Sequence, residues 1–73
     1  MRISYNKLWK LIIDRNMNKQ ALRNITGISS ASMAKLGKGE NVTTDVLLRI
    51  CAALQCDISD IVECIPNENE PDT

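Results

Sequence analysis

The stretch that decides the fold of this chain is NKQALRNITGISSASMAKLGKGE, residues 18–40. It begins with Asn18, a residue type that often caps the first turn of a helix. Leu22 and Ile25 follow with the i, i+3 spacing of an inward helix face. A short helix is therefore predicted over about residues 19–25.

A turn and a second helix complete this stretch. Gly27 suits the left-handed conformation that ends a helix, and Ile28 anchors the turn after it. Ser29 or Ser30 can cap the next helix, which is predicted over about residues 30–36. The residues of its inward face are Met33 and Leu36.

Four small side chains stand at the beginning of this second helix. This is unexpected, because a short chain needs bulky apolar side chains to build a core. They are Ser29, Ser30, Ala31 and Ser32. Such residues fill a core poorly, but they let a helix backbone lie very close to another surface. The run therefore indicates that the start of this helix lies close to another molecule and does not fill the core.

Apolar residues recur at i, i+3, i+4 and i+7 on both sides of this stretch, which is the spacing of an amphipathic helix. The first set predicts a helix over about residues 5–15. The second predicts a helix that Thr43 or Thr44 can cap. The two sets are Tyr5, Leu8, Trp9 and Ile12, and Leu47, Ile50, Cys51 and Leu54. A final short helix is predicted after Asp57, and Pro66 ends it.

These elements predict an all-α fold of five short helices, because no segment alternates apolar and polar residues over the length of a strand. A chain of 73 residues supports one core, so residues 1–65 are expected to form one domain. Residues 66–73 hold no apolar side chain apart from Pro66 and Pro71, and they are expected to form a disordered acidic tail.

The net charge of zero hides an asymmetry between the two parts of the chain. Residues 1–40 hold eight Lys and Arg side chains against two acidic ones, a net charge of +6. Residues 41–73 hold one basic side chain against seven acidic ones, a net charge of −6. This split favours a surface in the first part that faces a polyanion, although scattered solvated charges would give the same totals.

The chain has no stretch typical of a secreted or membrane protein. Its N-terminal residues MRISYNK lack the apolar segment of a signal peptide, and no apolar run approaches the length that spans a bilayer. We therefore expect a cytoplasmic location, where thiols stay reduced.

The cysteine pattern does not suggest a metal site. Cys51, Cys56 and Cys64 are spaced C-x4-C-x7-C, and the chain has no histidine. A structural zinc site typically has four Cys or His ligands at closer spacing than this. Buried apolar cysteines on helices are the simplest interpretation, and a redox or intersubunit role for a thiol is the alternative. No cofactor, metal or small-molecule ligand is expected.

The sequence also argues against an enzyme. It lacks histidine, a glycine-rich phosphate loop and a G-x-S-x-G motif. A chain of this size has little room for a substrate pocket.

Taken together, these features resemble the Cro/CI-type helix-turn-helix family, also called lambda repressor-like or XRE family. The family pattern is a capped short helix with a central Leu, then Gly, an aliphatic residue and Ser, a second helix, a Gly-containing loop, a Leu-rich helix and a short fifth helix. The residues that carry this pattern here are Asn18, Leu22, Gly27, Ile28, Ser29, Met33, Leu36, Gly39, Leu47, Leu48, Leu54 and Ile58. With the first helix included, the resemblance covers most of the chain.

The resemblance implies that the helix over about residues 30–36 lies in the major groove of double-stranded DNA. Small side chains at its start would then let the backbone approach the base edges. The residues expected to face bases are Ser29, Ser30, Ala31, Ser32 and Lys35. Those expected to contact phosphates are Lys19, Lys38 and Asn41.

The implied function is that of a sequence-specific transcriptional regulator, with repression as the expected mode. Such domains usually bind palindromic operators as dimers, so a homodimer is expected. The residues expected at the dimer contact are Ile58, Ile61, Val62 and Ile65. The competing interpretation is a protein-interaction module of the same fold, such as an antitoxin or an antirepressor.

Three residues depart from the family pattern. Arg23 stands where the family usually has Ala at the crossing of the two helices, and its guanidinium is expected to reach out toward a phosphate or an acidic partner. Thr26 replaces a residue that is often apolar. Gly37 stands near the end of the second helix, where many members carry Glu, and it is expected to shorten that helix.

Overall fold

The structure is a computed structural model that describes residues 1–66, and it confirms the all-α class with a helix-turn-helix. Within that range four α-helices pack together, and a short two-stranded sheet joins the two ends. The elements are β1 (Arg2–Ser4), α1 (Asn6–Asp14), α2 (Lys19–Thr26), α3 (Ser30–Lys38), α4 (Thr44–Leu54), a turn of 3-10 helix (Ile58–Asp60) and β2 (Glu63–Ile65).

Side-chain caps start three of the helices, because the first backbone N–H groups of a helix have no partner within it. The Asn18 side-chain oxygen accepts a hydrogen bond from the Ala21 N–H at 2.8 Å. Ser29 Oγ accepts from the Ser32 N–H at 3.1 Å. Thr43 caps α4 in the same way. Of the two pairs of candidate caps, Ser29 and Thr43 therefore take the role.

The end of α3 corrects one prediction. Gly37 was expected to shorten this helix, but α3 runs through it to Lys38. The helix ends at Gly39, which has the left-handed φ of 73°. A glycine inside a helix costs stability without breaking the hydrogen-bond pattern, so the left-handed residue decides where the helix stops.

Two glycine substitutions are expected to change stability in opposite directions. Gly27→Ala should lower the free energy of unfolding by about 1–2 kcal/mol, because φ is +70° there. Gly37→Ala should raise it by about 0.5–1 kcal/mol, because the added Cβ lies 3.7 Å from Lys19 Nζ, an ordinary contact. Urea denaturation of the two variants beside the parent chain measures both changes. Equal effects at the two positions would contradict this account.

The core is aliphatic and draws on every helix. Its fully buried side chains are Leu8, Leu22, Leu36, Ile50, Leu54 and Ile61. Ile25 was expected to face inward with Leu22, but it is 51% exposed. Thr26 is buried instead, and its hydroxyl donates to the Leu22 carbonyl at 2.7 Å. Met33, which was expected in the core, is only half-buried against it.

The C-terminal segment also differs from the prediction of a fifth helix. After Asp57, which caps the segment, the helical part is limited to a single 3-10 turn. The chain then extends into β2, which pairs antiparallel with β1 so that Ile3 lies opposite Cys64. Strands of three residues are too short to show an alternating pattern, and this pairing joins opposite ends of the chain. The sequence pattern therefore could not reveal it.

Two further predictions concern the C-terminal tail and membrane-spanning segments. The disordered tail predicted for residues 66–73 lies outside the described residues, except for Pro66. No helix within residues 1–66 is long and apolar enough to cross a membrane.

Candidate nucleic-acid interface

The first turn of α3 presents small side chains to solvent. Ser29, Ser30 and Ala31 are exposed, and Ser32 is half-buried. The Ser29 hydroxyl also donates to Ser32 Oγ at 3.2 Å, so these two serines are bonded to each other. Lys35, one turn further along, is exposed. Because these side chains are short, another molecule can approach the backbone at the start of α3 closely.

The α3 helix is held in place by its buried face and by the turn before it. Leu36 on α3, Ile28 in the turn and Leu22 on α2 are all buried. Gly27 takes the left-handed conformation that lets the chain leave α2 and enter this turn. Since α2 in turn packs on α4, the position of α3 is set by the core of the whole domain.

A buried tyrosine fixes the loop that follows α3. The Tyr5 hydroxyl donates to the Glu40 carbonyl oxygen at 2.8 Å. Burial raises the pKa of Tyr5, and a hydrogen bond with the backbone of Val42 opposes this effect. The contact ties the loop to the start of α1. It therefore limits where Asn41, the residue after Glu40, can lie.

Three cations line an open cleft of about 470 Å³ between α2 and α3. They are Lys19 and Arg23 on α2 and Lys38 at the end of α3. Within the described part of the chain, every charged residue that lines this cleft is a cation. We call Lys19, Arg23 and Lys38 the cationic cleft. Uncompensated cations at the edge of α3 create a positive potential that attracts an anion.

The ammonium group of Lys19 also contacts an aromatic ring. Its Nζ lies 4.8 Å from the centroid of the Trp9 ring, close enough for a cation–π interaction. Gly37 lies on the other side, where a methyl group in place of its hydrogen would lie 3.7 Å from the same Nζ. Lys19 therefore lies where α1, α2 and α3 come together.

Removing this ammonium group should be visible in the fluorescence of the single tryptophan. Lys19→Met keeps most of the side-chain length but loses the charge, so it should change the Trp9 emission and lower the free energy of unfolding by about 0.5–1 kcal/mol. Lys10→Met is the matched control, because Lys10 is also an exposed lysine but lines a different cleft. An unchanged emission in Lys19→Met would contradict the contact.

The structure brings together only some of the residues that the sequence predicted for this site. Lys19 and Lys38 share the cationic cleft, whereas Lys35 and Asn41 are exposed outside its lining. Arg23, whose guanidinium was expected to reach toward a phosphate or an acidic partner, also lines the cleft. The i, i+4 spacing of Lys19 and Arg23 was the available signal, because it places both on one face of α2.

The positive charge of residues 1–40 is not gathered on one surface. Lys7, Lys10 and Arg15 line a separate cleft of about 450 Å³, together with Asp14 and Asp60. Acidic side chains accompany the cations there, so the charge is partly compensated. In the cationic cleft beside α3, by contrast, no acidic side chain of the described residues accompanies the cations.

The residues predicted for a dimer contact also divide into two groups. Ile61 is fully buried in its own core, so it has no surface to offer a partner. Ile58, Val62 and Ile65 are half-buried and keep some surface exposed.

A helix-turn-helix DNA-binding domain is defined by three features of this structure. They are two helices joined by a tight turn, small exposed side chains at the start of the second helix, and the cationic cleft between the helices. A family model described as Cro/C1-type HTH DNA-binding domain matches residues 7–67. The chain therefore belongs to this family.

The chain is similar to the crystal structure of the transcriptional regulator VanUg (Form II), with 57% sequence identity and a TM-score of 0.88. The similarity covers 90% of this chain and 88% of that one. No curated protein matches the chain.

Proposed function

We propose that this protein is a sequence-specific transcriptional regulator that reads the major groove of double-stranded DNA with the start of α3. The observation that carries the proposal is an exposed helix start of small residues, with the cationic cleft beginning about one turn further along the same helix. A helix that lies on the groove floor needs a low profile, and the phosphates that flank the groove need cations.

The proposed contacts divide into base-facing and phosphate-facing groups. Ser30, Ala31 and Lys35 are the exposed residues that face the bases, and the bonded pair of Ser29 and Ser32 lies beside them. An alanine methyl group can contact a thymine methyl group, and a lysine can bind a guanine edge. The residues proposed to bind phosphates are Lys19, Arg23, Lys38 and Asn41.

We further propose that the protein acts as a homodimer on a palindromic operator and represses transcription. One domain of this size makes few base contacts, and two copies on adjacent half-sites double them. Ile58, Val62 and Ile65 are the proposed contact residues of the dimer. A dimer seated on a promoter would block access by polymerase, which is the simplest mode of action for so small a domain.

The test is a binding selection with the purified protein against a randomised duplex pool, followed by a salt titration on the enriched sequence. We expect a palindromic consensus. We also expect log K to fall against log salt with a slope of about −4 to −5, because four to six phosphates would be neutralised per protomer.

Two other outcomes of this selection are informative. Retention of all duplexes without a consensus would limit the function to non-specific binding. No retention even at low salt would contradict DNA binding and would favour the protein-interaction module, with an antitoxin or an antirepressor as its forms.

A further inference from the structure

Two cysteines meet at the C-terminal end of α4. Gln55, between them, takes a left-handed φ of 52°. The Cys56 N–H donates to the Cys51 carbonyl at 3.1 Å, and the backbone turns back over the helix end. This is the bond of a Schellman motif, in which the side chains of the two bonded residues commonly contact each other. Apolar residues usually make that contact, and here both positions are cysteine.

The turn therefore places the side chains of Cys51 and Cys56 on the same side of the helix end, at the edge of one cleft. Both are free cysteines, and Cys56 is the more exposed of the two. They line the same open cleft of about 630 Å³, together with Leu48, Gln55, Asp57 and Ile58. A small oxidant in solution can therefore reach the pair through this cleft.

We propose that Cys51 and Cys56 form a reversible dithiol–disulfide site that hydroperoxides oxidise and small thiols reduce. Cys56 attacks the peroxide because it is more exposed, which gives a sulfenic acid and releases water. The Cys51 sulfur then attacks the Cys56 sulfur, the S–O bond breaks, and a second water leaves with the Cys51 proton. Two thiols and one hydrogen peroxide thus yield one disulfide and two waters.

The protonation state of Cys51 is consistent with this order of events. Burial raises the pKa of the Cys51 thiol, and the neighbouring Cys56, Asp57 and Asp60 raise it further. A thiol held protonated is a poor first nucleophile. Cys51 is therefore the less suited of the two to attack peroxide, and the second step, against a sulfur across the same turn, is left to it.

Cys64 lies apart from this arrangement and provides the control. It is exposed on β2, where its backbone pairs with that of Ile3. Cys64→Ser removes the competing thiol without touching α4 or the cleft. The inference does not depend on DNA binding, so the test stands whatever the binding selection shows.

The experiment uses the full chain carrying Cys64→Ser, treated with hydrogen peroxide and then alkylated under denaturing conditions before mass spectrometry. We expect loss of two hydrogen atoms and no alkylation, with both thiols restored by glutathione. The chain has no Lys or Arg after position 49, so trypsin leaves both cysteines in one peptide. Cleavage after Leu54 instead separates them and should give two peptides joined by the disulfide.

A second variant and a denatured sample make the test decisive. Cys56→Ser in the same background should leave Cys51 alkylatable after peroxide, and circular dichroism checks that this variant is folded. The proposal is overturned if Cys51 in the Cys64→Ser chain stays alkylatable while Cys56 is oxidised further or joins two chains. It is also overturned if the disulfide forms faster in urea than in the folded protein, because the native turn would then oppose the bond.

Discussion

Leu22→Ala is expected to lower the free energy of unfolding by about 2–5 kcal/mol, because it leaves a cavity at the centre of the fold. Leu22 has no exposed surface, and it lies on α2, which packs on both α3 and α4. Small domains are stable by only about 5–15 kcal/mol, and one of 73 residues is expected near the low end of that range. A substantial part of the variant should therefore be unfolded at 37 °C.

Ile25→Ala on the same helix is the matched control for this prediction. Ile25 is 51% exposed, so its truncation should change the stability by less than about 1 kcal/mol. Thermal and urea denaturation followed by circular dichroism measure both variants. Similar losses for the two substitutions would mean that Ile25 is as buried as Leu22, and that the helix is rotated relative to this structure.

The contrast between these two residues shows what the sequence could not decide. On α2 an inward face built on Leu22 can continue at i+3, which is Ile25, or at i+4, which is Thr26. Hydrophobicity favours Ile25, but the structure buries Thr26 because its hydroxyl can bond to the Leu22 carbonyl. A threonine that satisfies its own polar group within the helix can occupy a core position, and an apolar pattern does not reveal it.

Local features of the fold were predictable because they depend on neighbouring residues. The caps at Asn18 and Ser29 and the left-handed Gly27 follow from side-chain chemistry within a few positions, and the structure has all three. The sheet between β1 and β2 depends instead on a pairing across almost the whole chain. One sequence contains no signal for such a pairing when each strand has only three residues.

The same distinction applies to the candidate site. The exposed start of α3 could be predicted, because the small residues are consecutive. The contact between Lys19 and Trp9 could not, because it arises where helices cross. For Arg23 the i, i+4 spacing from Lys19 places both on one face of α2, but the sequence does not show that α3 forms the other wall of the cleft.

The proposed reading of DNA by α3 makes Lys35→Glu the substitution with the largest expected effect on binding. Lys35 is exposed one turn after the small residues, where its ammonium group can bind a guanine edge or a phosphate. Loss of one such contact costs about 1–3 kcal/mol, and the new carboxylate adds repulsion from the phosphates. The affinity for the selected operator should therefore fall by about tenfold to a few hundredfold.

Lys10→Glu carries the same change of charge at a place where no DNA contact is proposed. Lys10 lines the cleft between α1 and the 3-10 turn, with Asp14 and Asp60 nearby. Fluorescence anisotropy on the operator and on a scrambled duplex, with circular dichroism as a check on folding, compares the two variants. If α3 reads bases, Lys35→Glu weakens operator binding much more than Lys10→Glu does. Equal weakening by both would mean that net charge alone drives binding, since only a local contact makes the position of the lysine matter.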